Sequence, residues 1–303
     1  QLDRAHISTI HAFGLSLLKA FAVEAHTDPA FIVQDEVLAE RRFEDAWRTF
    51  LAAVHQEPAA AAAIDRALGL GLTPRLLEVL AVELARLPGL ATTLLNPIGP
   101  ARELVWPDLQ EIARLLETLP ADQAPADDRL RRKIEAVRSL AQRVARAGDD
   151  REVVLAGGVA DISDEVKQIG NRTTWGPKID DVRGALEHAR RLLMDTLDSC
   201  RSDALESVLP CIARFVDADA RDRRREGALV FDDLIVGPRD VLLDERVRRA
   251  LRARYDVMLI DEFQDTDPLQ SEIAVAFAAD PDTGRIEAGR LFVVGDPKQS
   301  IYR

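Results

Sequence analysis

The stretch Tyr255-Asp256-Val257-Met258-Leu259-Ile260-Asp261-Glu262-Phe263-Gln264-Asp265-Thr266 sets an apolar run of strand length directly before two adjacent carboxylates. An uninterrupted apolar run reads as a buried-type strand. Residues 268–279 follow with a helical pattern, proline being tolerated in a first turn, and residues 290–294 supply another strand. Strand, helix, strand implies a parallel α/β layer whose ligand-facing loops lie at the carboxyl ends of the strands. Asp261 and Glu262 stand on such a loop. Asp261 could coordinate magnesium that bridges nucleotide phosphates, and Glu262 could orient or deprotonate an attacking water. The plainer alternative is that Asp261, Asp265 and Asp267 end the strand and cap the next helix.

A second cluster weighs against that alternative. Val293-Val294-Gly295-Asp296-Pro297-Lys298-Gln299-Ser300-Ile301-Tyr302 again follows a strand at once. Gly295 can permit a tight loop, Asp296 can accept hydrogen bonds or act on a metal's outer shell, and Gln299 can donate to a terminal phosphate. Lys298 could contact phosphate or remain solvated, and Tyr302 could stack on a base or serve as a core or interface residue.

Toward the amino terminus, residues 228–231 form an apolar segment before Asp232-Asp233-Leu234-Ile235, and residues 241–254 have a helical pattern. Residues 35–224 are mainly helical in pattern, with breaks expected at Pro58, Gly69 to Pro74, Pro88-Gly89, Asn96 to Pro100, Pro120 to Pro125, Gly157-Gly158 and Gly176-Pro177. One candidate helix, 129–146, carries seven basic residues, Arg132 and Lys133 among them, against the single acid Glu135. Such an excess could meet a phosphate backbone, or it could be a solvated face whose arginine stems cover apolar neighbours. The first segment, Ile7-Ser8-Thr9-Ile10-His11, is read as a strand ending near Thr9 and a helix starting close to His11, with Gly14 unfavourable in its first turn.

The 303 residues are long enough for two domains, and 47% hydrophobic with 30% charged residues is the composition of a folded globular chain. A net charge of -12 argues against nonspecific coating of nucleic acid but leaves room for a local DNA track. Cys200 and Cys211 lack metal-ligand spacing and read as reduced packing residues of a cytoplasmic protein. No stretch approaches the roughly 20 apolar residues needed to cross a membrane.

Residues 261–270, DEFQDTDPLQ, together with residues 295–302, GDPKQSIY, closely resemble the second and third motifs of superfamily 1 helicases of the UvrD, Rep, RecB and AddA group. Residues 9–13, TIHAF, resemble the strand-to-helix segment bordering the DNA path in that family. Residues 227–234, GALVFDDL, resemble the return from its inserted helical domain to the motor core. The DPKQSIY wording leans toward the RecB and AddA helicase-nuclease subunits. The resemblance implies an α/β fold: a partial RecA-like P-loop NTPase core with a parallel sheet and a large, mainly helical inserted domain. Residues 1–34 and 225–303 would belong to the first motor domain and 35–224 to the insertion. It further implies ATP and Mg2+ as cofactors, with Asp261 as the magnesium-binding acid and Glu262 as catalytic base. Gln299 would sense the terminal phosphate and couple nucleotide state to the grip on DNA, and Asp296 would belong with it to the cofactor site. Thr9 and His11 would lie near single-stranded DNA, and Tyr302 would sit close to the DNA or the coupling loop. Partners would be single-stranded and duplex DNA and, for a helicase-nuclease complex, further subunits.

The phosphate-cradling G-x-x-x-x-G-K-[ST] pattern is absent, since no lysine in the chain is preceded by glycine. In the family that loop precedes the segment matched by Thr9, and an arginine-bearing second motor domain follows. Both ends therefore read as cuts within a larger protein, and the chain alone is expected not to hydrolyse ATP. Two other readings compete: a non-enzymatic module using the helical insertion as a partner surface, and a metal nuclease using Asp261 and Glu262. The nuclease reading is the weaker, because adjacent acids alone do not define a two-metal site.

Overall fold

The computed structural model describes residues 5–95 and 104–299. Among them run α1 (Ile10–Ala20), β1 (Ile32–Val33), α2 (Glu36–Ala53), α3 (Pro58–Gly69), α4 (Pro74–Ala85), α5 (Pro88–Leu94), α6 (Leu109–Glu117), α7 (Arg129–Arg146), α8 (Arg151–Gly158) and α9 (Arg172–Trp175). They are followed by α10 (Ile179–Arg225), β2 (Ala228–Leu229), α11 (Asp233–Val241), α12 (Glu245–Arg254), β3 (Met258–Ile260), α13 (Pro268–Ala278) and β4 (Leu291–Val293). The described residues are mostly helical, with two small parallel sheets among them, β1 with β2 and β3 with β4. This agrees with the predicted partial P-loop-type core bearing a large helical insertion. Its contacts form two compact units, Gln1–Thr49 with Val216–Arg303, and Phe50–Phe215.

In the first unit, Leu17, Leu18, Leu234, Ile235, Leu251 and Phe277 are buried in one core contributed by α1, α11, α12 and α13. Glycine at position 14 has a packing cause. A Cβ added there would lie 2.0 Å from the Leu234 carbonyl oxygen, so α1 approaches α11 through the missing side chain. Helix propensity alone would make Gly14→Ala stabilising by about 1 kcal/mol. The collision reverses the sign, and we expect a net loss of roughly 1–3 kcal/mol, seen as a lower urea midpoint of the chain. An unchanged or higher midpoint would mean that the two helices separate at no cost.

Differences from the predicted elements have local reasons. Residues 5–9 form no strand: they are exposed and pair with no strand among the described residues, and Thr9 instead caps α1, its hydroxyl accepting from Ala12 N at 3.2 Å. The helix expected over 241–254 begins at Glu245, because Asp244 accepts from Arg246 N at 2.8 Å and caps a fresh start. Val241 ends α11 and residues 242–244 form a turn, a division that sequence periodicity did not separate. β1 is two residues long, with Ile32 opposite Ala228 and Val33 opposite Leu229, too short to carry an alternation signal.

Around α2, the end of α10 and the turn before α11 lies a buried ionic network. Arg223 Nη1 donates to Asp233 at 2.6 Å and its Nε to Asp219 at 3.1 Å, while Arg42 Nη1 donates to Asp219 at 2.8 Å. Asp233 also accepts from Val230 N at 2.8 Å, so the network holds the turn that presents Phe231.

In the second unit, Leu186, Ala189, Leu193, Leu197, Cys200, Ala204, Val208 and Cys211 make a buried stripe on α10, recurring every three or four residues. Both cysteines are thus packing residues, and burial pushes the Cys200 thiol up to about 11. Pro58 and Pro74 occupy first-turn positions of α3 and α4, so these expected breaks are helix starts. No described helix is long and apolar enough to cross a membrane.

Candidate nucleotide and nucleic-acid site

The strands β3 and β4 pair in parallel register, Met258 opposite Leu291 and Ile260 opposite Val293, so their carboxyl ends and following loops are adjacent. The pairing continues past the strands: Val294 N donates to Ile260 O and Phe263 N to Val294 O, both at 2.9 Å. The run 257–260 reads as buried, yet Leu259 is 67% exposed and Phe292 51%. Only Met258 of this run packs against the core, on the side where α13 lies. A two-stranded ribbon covered on one face leaves alternate residues outside.

Asp261 and Glu262 are both exposed at the head of this loop. Asp261 Oδ1 accepts from Glu262 N at 3.0 Å, and Glu262 adopts a left-handed backbone with φ 52°. That conformation costs a non-glycine residue on the order of 1 kcal/mol or more and is held by its surroundings. Cap duties fall elsewhere: Asp267 accepts from Gln270 N at 2.8 Å and starts α13, with Pro268 in the first turn. Asp261 is therefore not needed to cap that helix.

The second loop folds around Asp296. Lys298 N donates to Asp296 Oδ1 at 3.0 Å, while Gln299 donates through its backbone to Asp296 O at 2.9 Å and through Nε2 to Oδ2 at 3.1 Å. Lys298 is exposed. Gly295 does not adopt positive φ; a Cβ there would lie 3.1 Å from the backbone nitrogens of Phe263 and Gln264 and 2.4 Å from Gln264 Oε1, so the Gln264 side chain would have to move aside. Asp261, Glu262, Asp296 and Gln299 are thus gathered on one edge of the β3–β4 ribbon. Tyr302 lies outside the described residues.

Within the same unit, His11 stacks on Phe231, ring centroids 4.0 Å apart and planes 20° apart. Phe231 is 58% exposed. Sequence reading singled out His11 but not Phe231, whose exposure beside a histidine 220 positions away is a tertiary fact. The Thr9 hydroxyl, though it accepts the α1 capping bond, keeps its proton for donation.

In the second unit, α7 spans the predicted residues, with Asp128 accepting from Leu130 and Arg131 N as its cap. Arg132 is exposed. Lys133 is buried instead: its Nζ donates to Asp161 O at 3.1 Å and lies 3.8 Å from Asp164. Spacing could have revealed this, because 133 falls on the apolar side with Leu130, Ile134 and Val137.

Among the described residues no group of three or more His, Cys, Asp or Glu side chains could hold a metal ion by itself. The exposed carboxylate of Asp261 instead fits Mg2+, which takes one or two carboxylates and completes its shell with water and phosphate oxygens.

Parallel strands with charged loops at their carboxyl ends, beside a large helical insertion, fit a partial P-loop-type core. Residues 1–303 match the UvrD/REP helicase N-terminal domain, and the chain belongs to this family. Along its whole length it is 28% identical to an ATP-dependent helicase/nuclease subunit of Moorella thermoacetica, of which it covers 25%. It is 34% identical to the RecBCD enzyme subunit RecB of Escherichia coli over 38% of the chain and 10% of that protein. The RecB of Mycolicibacterium smegmatis is 38% identical over 26% of the chain and 7% of its own length. The chain therefore spans a quarter or less of these relatives, each of which is named as a subunit of a larger enzyme.

Proposed function

We propose that the chain is part of an ATP-dependent DNA helicase or translocase. Residues 1–34 and 225–303 would contribute to its first motor domain and 35–224 would form the inserted domain. The observation carrying this reading is the hydrogen-bonded pair of loops after β3 and β4, which gathers Asp261, Glu262, Asp296 and Gln299 on one edge. Asp261 would hold Mg2+, which when bound offsets the charge of the nucleotide phosphates. Glu262 would orient the attacking water and accept its proton as the water oxygen bonds to the terminal phosphorus and the bond from that phosphorus to the bridging oxygen breaks, ADP leaving with that oxygen and the terminal group released as inorganic phosphate. Gln299 donates to the terminal phosphate, and Asp296 holds Gln299 in place.

Single-stranded DNA would run past Thr9 and the His11–Phe231 pair, whose exposed aromatic face suits a base, while the Thr9 hydroxyl donates to phosphate. Tyr302 is proposed for the same path from its motif alone. On α7, Arg132 and Arg143 are exposed, and eleven residues, or about three turns, bring them to one face suited to duplex phosphates. Lys133 was read with them, but its inward contacts leave it a structural role. The relatives named as subunits support partner subunits for this protein too, and a cytoplasmic location is part of the same proposal.

The test is the full-length protein's ATP hydrolysis with magnesium, with and without single-stranded DNA, alongside duplex affinity across a salt series. We expect DNA-stimulated hydrolysis, and a log-log salt slope lowered by about 2 in the doubly substituted Arg132→Ala, Arg143→Ala protein. Hydrolysis indifferent to DNA would contradict the motor assignment; an unchanged slope would return the arginines to an ordinary solvated face.

A further inference from the structure

Gln264 joins the two loops through both ends of its amide. Its Oε1 accepts from Asp296 N at 3.0 Å, and its Nε2 donates to Glu262 Oε2. The polarity is forced, because a backbone N–H can only donate: the amide oxygen must face Asp296, which turns the amino group toward a carboxylate that can only accept. Gly295 leaves the space that Gln264 fills, a Cβ there lying 2.4 Å from Oε1. Beyond Asp296 the connection continues to Gln299 through backbone and side chain. One hydrogen-bonded chain thus runs from Glu262 through Gln264 and Asp296 to Gln299.

We propose that Gln264 is a positioning residue that ties Glu262 to the loop bearing Gln299. This deepens the function proposed above and rests on it. The amide occupies one oxygen of the Glu262 carboxylate and leaves the other for water. It also steadies a residue in the left-handed region, where the backbone has no preference of its own to keep it. A shift of the 295–299 loop, on meeting or losing a terminal phosphate, moves Asp296 N and with it the amide holding Glu262. The base is aligned when the sensor loop is in place and released when it is not.

The experiment uses the full-length protein and single-turnover ATP hydrolysis with saturating DNA. Gln264→Leu keeps the bulk and removes both bonds. Gln264→Glu keeps an acceptor for Asp296 N and sets a second carboxylate against Glu262. Both are expected to lose about tenfold or more in rate with nucleotide affinity within about twofold, the loss of a hydrogen bond to a charged group. In a Glu262→Gln background, Gln264→Leu should add little, because it acts through the side chain already replaced. Rates within twofold of the parent, or losses that multiply in the double variant, would overturn the inference. Should Gln264→Leu not fold, Gln264→Glu alone and on Glu262→Gln decides the question in the same way. A Glu262→Gln protein that hydrolyses ATP like the parent would instead refute the catalytic assignment itself.

Discussion

Glu262→Gln in the full-length protein is expected to lower the hydrolysis rate by about 10²–10⁴-fold, the usual contribution of a positioned general base, equivalent to roughly 3–5 kcal/mol of barrier. The replacement keeps the size and hydrogen-bonding capacity of the side chain and removes its basic charge, so nucleotide binding should survive. The carboxylate is exposed at the carboxyl end of β3, beside Asp261, where a water attacking a bound phosphate would come. A radiolabelled nucleotide binding curve and a phosphate-release assay on the same preparation separate the two effects. Equal loss of binding and turnover would mean that Glu262 shapes the nucleotide pocket and is not the base.

Asp233→Ala should be the most damaging substitution for stability outside the apolar core. It removes a 2.6 Å partner of Arg223, whose side chain is 12% exposed, and leaves Val230 N without its acceptor. Breaking a buried pair from one side costs about 3–5 kcal/mol, because the remaining charge stays buried. That corresponds to a fall in thermal midpoint on the order of 10 °C. Asp219 still faces Arg223 and Arg42, so the network is not emptied, and Asp233→Asn, which can keep the Val230 bond, should cost less. A midpoint shift of only a degree or two for Asp233→Ala would show that water repairs the gap. The network also holds the turn carrying Phe231, so weaker single-strand binding should accompany the lost stability.

What the sequence made legible is what short-range chemistry decides. The order β3, loop, α13, β4 follows from two apolar runs and an Asp-Pro start, all written within about 40 residues. α7 matched its predicted span because Asp128 caps it and its apolar residues keep a helical period. The features that stayed hidden need two distant segments at once. Gln264 sits inside a quoted motif, but its value lies in reaching Asp296, 32 positions on. Phe231 gains its meaning from His11, and Asp233 from Arg223. Glycine misled in one place: Gly14 weakens a helix by propensity, yet it is where α1 and α11 meet. Charge misled in another, since Lys133 belongs to a basic run but turns inward to Asp161.

The central claim is that the loop holding Gln299 reads the terminal phosphate and passes that state to the grip on DNA. The most direct test is the dissociation constant of the full-length protein for single-stranded DNA, taken without nucleotide, with ADP and with a nonhydrolysable ATP analogue at one salt concentration. The parent should change affinity between these states, commonly by a factor of about 5–150 for coupled sites. In Gln299→Ala that factor should collapse toward one while nucleotide affinity survives. If Gln299→Ala keeps the parent's factor, Gln299 is not the coupler and the account is contradicted at its centre.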